Sequence, residues 1–429
     1  MWLSFQMRNK GGDAVKVWIV SNGEPLPIDA GGQRLRRMGL LASYLSGQGS
    51  QVHWFCSTFH HYDKKQRADA NQDVQRNKHY WIHLLKAKGY QGSVSLARLS
   101  HQRAIAAGFL KKAQALSPPD VILATLAPLP FSKAAVRYGL EHQVPVIVDI
   151  RDLWPDLYKE MVPAGFSFLL APYLYAARRG LTWITNRASS LWGVTPGFLQ
   201  YGLNAAGRKQ QPLDGVFHTA YPRWNHREAK KRFDVDWKPL GIHPDDFLVV
   251  FIGQLNRQFS FDPVIEAARL LAGQEKIRFV FCGGGEQAVR LKEKTKDIPV
   301  IWAGHKGEGE LKSLLSAASL GLAPYRNSAN FRLNAPNKFS EYLSASLPVL
   351  TSLKGTMAAY AKQYGCGGAY GDGQELAEMI ASYAEGPDRY RLAREGGNRL
   401  YEDHFEAGQV MKAMGDRLKK VAEQGRQAR

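Results

Sequence analysis

Acidic side chains are scarce in this chain. Against 57 Lys and Arg stand only 38 Asp and Glu, a formal charge of +19. That balance disfavours a cationic partner and implies an anionic one, whether nucleic acid, a membrane surface or a phosphorylated substrate. Cysteine is scarcer still. Cys56, Cys282 and Cys366 are odd in number and far apart, with no CxxC spacing, so neither a disulfide framework nor a cysteine metal site is expected and a reducing cytoplasm is the natural compartment. Long apolar runs are missing too. The longest uncharged apolar stretch, 164–177 (AGFSFLLAPYLYAA), is too short to span a bilayer and is interrupted by Pro172, although it could lie on one. The opening MWLSFQMRNKGG has too short an apolar run, with its charge on the wrong side, for a secretory signal. There is no HExxH, serine elbow or P-loop, which removes the usual support for hydrolase and kinase readings. The basic residues are scattered: Arg34, Arg36 and Arg37; Lys64, Lys65 and Arg67; Lys111 and Lys112; Arg178 and Arg179; 230–232; and the tail 412–429. No zinc-finger, RNA-recognition or heptad pattern accompanies them, so nucleic acid is not an expected partner.

What is present is an ordinary globular composition, 429 residues at 45% hydrophobic, enough for two domains with their own cores. β-rich apolar runs at 15–21 (VKVWIVS), 52–57, 81–85, 120–125 and 145–150 alternate with helical patterns at 33–46 and 131–141. The scheme repeats as strands at 247–252, 277–282, 300–303, 320–323 and 349–351, with helices at 263–272 and 310–318. Strands alternating with helices predict parallel, doubly wound α/β sheets. Two Rossmann-like halves fit the length, joined near 210–232, where periodicity gives way to Gly, Pro and charge. Ligands in such folds sit beyond the carboxyl ends of the strands, so two facing halves would enclose one cleft.

The loops after the strands hold the candidate site residues. Gly31 and Gly32 open the first helix, where backbone N–H groups could approach an anion or a sugar, or simply make a tight turn. In VDIRDLWPD, Asp149, Arg151, Asp152 and Asp156 crowd a strand end, as a cleft-facing group or a structural network. Gly253 precedes Arg257, placed to meet a diphosphate. Gly283, Gly284 and Gly285 could pass close to a base or ribose, with Glu286 favouring a helix N-terminus. Asp234 and Asp236 form a DxD, a metal-diphosphate spacing, but follow KKRF in what reads as a linker; no metal site is expected.

The most informative stretch is 325–351, YRNSANFRLNAPNKFSEYLSASLPVLT. Pro336 suits a first helical position, so a helix is predicted from 334–336 onward. Asn337, Lys338 and Glu341 would then share one polar flank, while Phe339, Tyr342 and Leu343 turn to a core. A helix N-terminus after a strand suits a phosphate, Lys338 adds a mobile cation, and Glu341 has the length to accept hydrogen bonds from a ribose diol. The same spacing also fits a solvated face with an i,i+3 ion pair.

Together AGGQR with LASYLSGQGSQV, IVDIRDLWPD, FIGQL, FVFCGGGE, IWAGH with its Gly304, and LKSLLSAASLGLAPY before PNKFSEYLSASLPVLTS resemble the family 4 glycosyltransferases of the GT-B fold. The likeness spans nearly the whole chain and is greatest with the branch that transfers amino sugars or deoxysugars in bacterial capsule and O-antigen assembly. It implies an N-terminal Rossmann-like acceptor domain (1–214), a C-terminal donor domain (215–397) and a last helix (398–429) returning to the first. It further implies transfer from a nucleotide sugar, UDP-sugar favoured, with retention, no metal and no cofactor, to a lipid-linked or saccharide acceptor at the anionic inner membrane face. The resemblance gives Glu341 the ribose, Arg257 and the loop before Asn337 the diphosphate, and Gly31 and Gly32 the acceptor side. Gly253, Gly283, Gly284, Gly304, Asn337, Lys338 and Glu341 thus make the expected donor site, with Arg151, Asp152, Arg257 and Lys338 as catalytic candidates. The basic, aromatic segment 166–183 suits the membrane face; packing into the first core is its alternative.

Three positions depart from the family pattern. Leu333 stands where many members have a second Glu eight residues before Glu341. The Arg/Lys pair expected after Gly253 is reduced to Arg257, with Gln254 and Ser260 nearby. Arg151 replaces a His. Leu333 leaves open a silent nucleotide-sugar-binding partner, and the fold leaves open a sugar-nucleotide epimerase. A nicotinamide dehydrogenase is disfavoured because neither glycine turn is a full dinucleotide fingerprint.

Overall fold

A computed structural model describes residues 14–29, 34–92, 95–162, 168 and 170–427. The chain forms two units, one of Met1–His218 with Val410–Arg429, the other of Thr219–Gln409.

Among the described residues the first unit is built on ten strands: β1 Lys16–Val20, β2 Gln51–Ser57, β3 Phe59–His60, β4 Lys65–Gln66, β5 Gln72–Asn77, β6 Tyr80–Leu85, β7 Val121–Thr125, β8 Val146–Ile150, β9 Ser190–Gly193 and β10 Gly215–Val216. Eight of them make one sheet in the order β10-β9-β8-β7-β1-β2-β6-β5, and β3 and β4 form a separate antiparallel hairpin. The central strands are continuous apolar runs because helices cover both faces of a parallel sheet. Trp18, Phe55 and Phe109 meet in the core, with ring centroids 5.1 Å apart for Trp18–Phe55 and 5.0 Å for Phe55–Phe109. The antiparallel edge strand β5, QDVQRN, has no apolar run and almost no burial, so periodicity does not reveal it. The last helix, Ala407–Gln427, enters this unit at Val410; Arg417 donates to the carbonyls of Pro212 and Asp214, and Arg426 pairs with Asp120 at 2.9 Å.

The second unit carries β11 Phe247–Ile252, β12 Ile277–Cys282, β13 Val300–Gly304, β14 Leu320–Ala323, β15 Val349–Thr351 and β16 Gly367–Ala369. They form a parallel sheet ordered β13-β12-β11-β14-β15-β16. The DxD expected in a linker lies instead in a short helix, Phe233–Trp237. There Asp234 pairs with Lys238 at 2.8 Å and Asp236 with Arg232 at 3.2 Å, one helical turn away in each case. Those are local ion pairs on a helix whose Phe233 and Trp237 are buried.

The helix Asn337–Ser344 is fastened to this sheet through Tyr342. Its hydroxyl accepts the N–H of Ile252 at 3.0 Å and donates to the carbonyl of Val250 at 3.3 Å. Its ring lies so close to β14 that a Cβ on Gly321 would stand 2.4 Å from it. Tyr342→Phe should cost about 1–3 kcal/mol by leaving the Ile252 N–H buried without its acceptor; a melting temperature equal to the parent's would refute this anchoring role.

Candidate functional site

In the second unit the backbone turns at the carboxyl ends of β11, β12 and β13 are laced together. The N–H of Gly253 donates to the carbonyl of Cys282 at 2.9 Å, and that of Gly283 to the carbonyl of Gly304 at 2.7 Å. Gly253 and Gly283 have φ of 142° and 138°, values that L side chains rarely adopt, and a Cβ on Gly283 would stand 1.9 Å from the Gly253 carbonyl oxygen. Only glycine permits two strand ends to approach this closely. Gly284 is different: its carbonyl accepts the N–H of Leu255 at 2.8 Å, and its Cα faces open space.

The Asn337–Ser344 helix runs behind these turns. Phe339, Tyr342 and Leu343 are fully buried, as the apolar spacing requires. Pro336 is not the first helical residue but the one before it, extended at ψ 167°. The position of Lys338 also differs from the expectation of a mobile cation on a polar flank: it is 7% exposed. Its ammonium nitrogen sits 4.0 Å from the centre of the Phe251 ring, 5.4 Å from that of Phe259 and 5.8 Å from that of Tyr342. It lies directly beneath Gly253, where a Cβ would come within 2.7 Å of the nitrogen. Burial lowers its pKa to about 7, against the opposing pull of Glu341. The aromatic rings partly replace the lost water around the cation. Glu341, one turn on, is half-buried. Its charge also helps to hold the buried Tyr325 phenol above its usual pKa, after the larger effect of burial.

Arg257 follows the Gly253 turn, but its guanidinium is 83% exposed and 3.4 Å from Glu286. The Glu286 carboxylate also accepts the Arg257 N–H at 2.9 Å, so it ties the loop after β11 to the loop after β12. Asn337 opens the helix, and its carbonyl accepts the Ser340 hydroxyl at 3.0 Å. Gly253, Gly283, Gly304, Lys338 and Glu341 thus come together, with Gly284, Asn337 and Arg257 on the adjoining loops and helix turn.

The first unit holds a second polar cluster at the carboxyl ends of β1 and β8. Asp149 is fully buried and takes both prongs of Arg37, at 2.9 and 2.7 Å, plus Arg151 at 3.1 Å. Arg37 also donates to the carbonyls of Phe217 and His218. Arg151 is further engaged by Glu24 and by the Ser21 hydroxyl at 3.2 Å. Burial opposes its charge, but Glu24, Asp149 and Asp152 outweigh burial and raise its pKa. Asp156 is drawn elsewhere, to Arg178 and to the Tyr201 hydroxyl at 2.9 Å. Glu24, which sequence reasoning missed, also caps the Arg37–Gly47 helix by accepting the N–H of Met38 at 2.9 Å. The available signal was its place in the loop after the first strand. Gly31 and Gly32 lie outside the described residues. Among the described residues, no group of three or more His, Cys, Asp or Glu could hold a metal ion, and no helix is long and apolar enough to cross a membrane.

Residues 246–385 match the family model described as glycosyl transferases group 1. No curated protein matches the chain. Among solved structures, sucrose-phosphate synthase from Thermosynechococcus elongatus aligns with a TM-score of 0.68 at 14% identity, over 95% of this chain and 98% of that one. HepE from Anabaena, in complex with UDP, gives 0.67 at 14% identity, over 94% and 100%. WaaG, a glycosyltransferase involved in lipopolysaccharide biosynthesis, gives 0.61 at 14% identity, over 94% and 99%. The chain therefore has the GT-B fold, and residues 246–385 of its second unit are similar to the group 1 glycosyl transferases.

A lysine with a pKa near 7 in the folded chain and an ordinary one when unfolded binds fewer protons folded than unfolded between those values, so its burial costs most at low pH. Lys338→Met should accordingly be more stable than the parent near pH 6. That advantage should shrink by up to about 1.4 kcal/mol per pH unit as the pH climbs from 7 toward 10. Parallel stability curves for the two proteins would show that the ammonium is not buried in charged form.

Proposed function

We propose that this protein is a retaining glycosyltransferase that moves a sugar from a nucleoside-diphosphate sugar, UDP-sugar favoured, without a bound metal. The acceptor is a lipid-linked or saccharide chain in bacterial surface polysaccharide assembly. The observation that carries the reading is the convergence of the glycine turns after β11 and β12 with Lys338 and Glu341, inside the stretch that matches the glycosyltransferase model. The glycine turns let a flat nucleotide come close to backbone, and the Glu341 carboxylate is suited to accept hydrogen bonds from a ribose diol. As the bond to the sugar breaks, negative charge collects on the departing diphosphate. The positive end of the Asn337 helix and the Lys338 ammonium are fixed beforehand at these strand ends, and Arg257 adds a mobile cation from the neighbouring loop. HepE, solved with UDP and also with UDP-glucose, supports the choice of donor, and the involvement of WaaG in lipopolysaccharide biosynthesis supports the surface-polysaccharide setting.

On the first unit, Arg151 and Asp152 are the catalytic candidates, Arg151 being held in place by Asp149 and Glu24, and Gly31 and Gly32 are assigned to the acceptor side. The helix Ala171–Arg187 presents Tyr175, 67% exposed, beside Arg178 and Arg179, a pairing suited to an anionic membrane face.

A thermal-shift screen should show stabilisation by UDP above that by the other nucleoside diphosphates, and product should form only when donor and acceptor are both present. Product formed without acceptor would instead support the epimerase reading. Glu341→Ala should raise the donor KM with a loss of about 1–3 kcal/mol of binding; an unaltered KM in a folded variant would remove Glu341 from the donor site. In flotation with liposomes, binding should grow with anionic lipid content and fall with salt, and indifference to both would refute the membrane assignment.

A further inference from the structure

The amine of Lys338 is taken into the second unit without an acceptor for its N–H groups. The residue is 7% exposed, and among the described residues it makes neither a hydrogen bond nor an ion pair, even though Glu341 stands one turn further along the same helix. What surrounds the nitrogen is aromatic: Phe251 from β11 at 4.0 Å, Phe259 from the loop after β11 at 5.4 Å and Tyr342 from its own helix at 5.8 Å. Tyr325, which follows β14, packs in turn on Phe259, with ring centroids 4.7 Å apart. The nitrogen itself is brought up against the Gly253 turn, where only the absence of a side chain makes room for it.

A buried charge with no hydrogen-bonded partner is costly, and the usual outcome is that the group gives up its charge. Ring faces offset part of that cost, but they accept no hydrogen bond as strong as water's. The cage therefore holds the amine close to the point where it is as easily neutral as charged, burial lowering its pKa to about 7 against the pull of Glu341 and Cys282. The thiol and phenols that face it keep their protons throughout the neutral range. Burial pushes Cys282, at the end of β12, up to about 12, with Lys306 and Lys338 drawing it down and Glu310 pushing it up. Tyr325 and Tyr342 are raised above the usual phenol value, chiefly by burial. Arg257, beyond the Gly253 turn, is always charged and stands beside Glu286.

An anion docking at the Gly253 and Gly283 turns changes this balance. Beside a poorly solvated amine a negative charge is little screened, so it favours the ammonium strongly over the amine. We infer that Lys338 couples proton uptake to donor binding: its amine, uncharged in mildly alkaline solution, takes a proton from solvent as a nucleoside diphosphate comes to rest at these turns, and returns it when the diphosphate leaves. One amine and one solvent proton become one ammonium, and no other bond is made or broken. This rests on the glycosyltransferase reading and deepens it, because the cation that faces the departing diphosphate is then completed by the substrate's own charge.

Titration calorimetry of the full chain with UDP, repeated in buffers of different ionisation enthalpy, reads the protons exchanged. At pH 8 the terminal phosphate of UDP has already lost its own proton, so uptake there belongs to the protein. Uptake of about 0.9 proton per UDP is expected at pH 8 and about 0.5 at pH 7, and the Kd should rise up to about tenfold per pH unit between pH 7.5 and 9. Lys338→Met should bind UDP with no uptake at pH 8 and a Kd nearly constant over that range. Should it bind too weakly to titrate, Lys338→Arg, charged at every pH used, is read in its place and should bind without uptake. UDP binding to the parent with no proton taken up overturns the coupling and leaves the donor reading standing. Uptake that persists in the variant removes the coupling from Lys338. Absence of UDP binding to the parent at both pH values overturns the coupling and the donor reading together.

Discussion

The second unit depends on one costly placement, an ammonium group taken out of water and set over the face of Phe251. Neither the aromatic ring nor Glu341 restores the hydration of Lys338 fully, which is why its pKa stands near 7. The surrounding structure accommodates it in specific ways. Gly253 must lack a side chain because the Lys338 nitrogen occupies the space, Gly283 must lack one because the Gly253 carbonyl occupies it, and Tyr342 holds the helix against β11 through two hydrogen bonds. A group held this way is already oriented and poorly solvated, so it answers strongly to any charge placed beside it.

The first unit solves a related problem by the opposite means. Its buried carboxylate, Asp149, is compensated twice over, by Arg37 and Arg151, and Glu24 completes the balance while also capping a helix. Buried pairs of this kind contribute less to stability than to geometry, because desolvation offsets much of the attraction. Their effect here is positional: Arg37 reaches the carbonyls of Phe217 and His218, so the end of the first unit is registered to the same cluster that orients Arg151.

Much of the architecture was legible from the chain. The parallel strands are apolar runs covered on both faces, and β11, β12, β14 and β15 have the very bounds that hydrophobicity indicates. Strands without such a run escaped, as the polar edge strand β5 shows. Helix starts were less legible: Pro336 satisfies the chemistry of a first helical residue and of the one before it almost equally, and the structure takes the second.

By itself, then, the sequence determined the alternation of strands and helices, the two Rossmann-like units, and the residue types gathered at the strand ends, because periodicity and turn chemistry are local properties. Only the tertiary structure decided which way those residues face. Lys338 reads as a surface cation until β11 places Phe251 beneath it, Arg257 reads as an aimed guanidinium until it is found exposed beside Glu286, and Glu24 reads as loop until Arg151 and the N–H of Met38 converge on it. Burial and pairing depend on contacts between residues distant in sequence, and no local pattern records them.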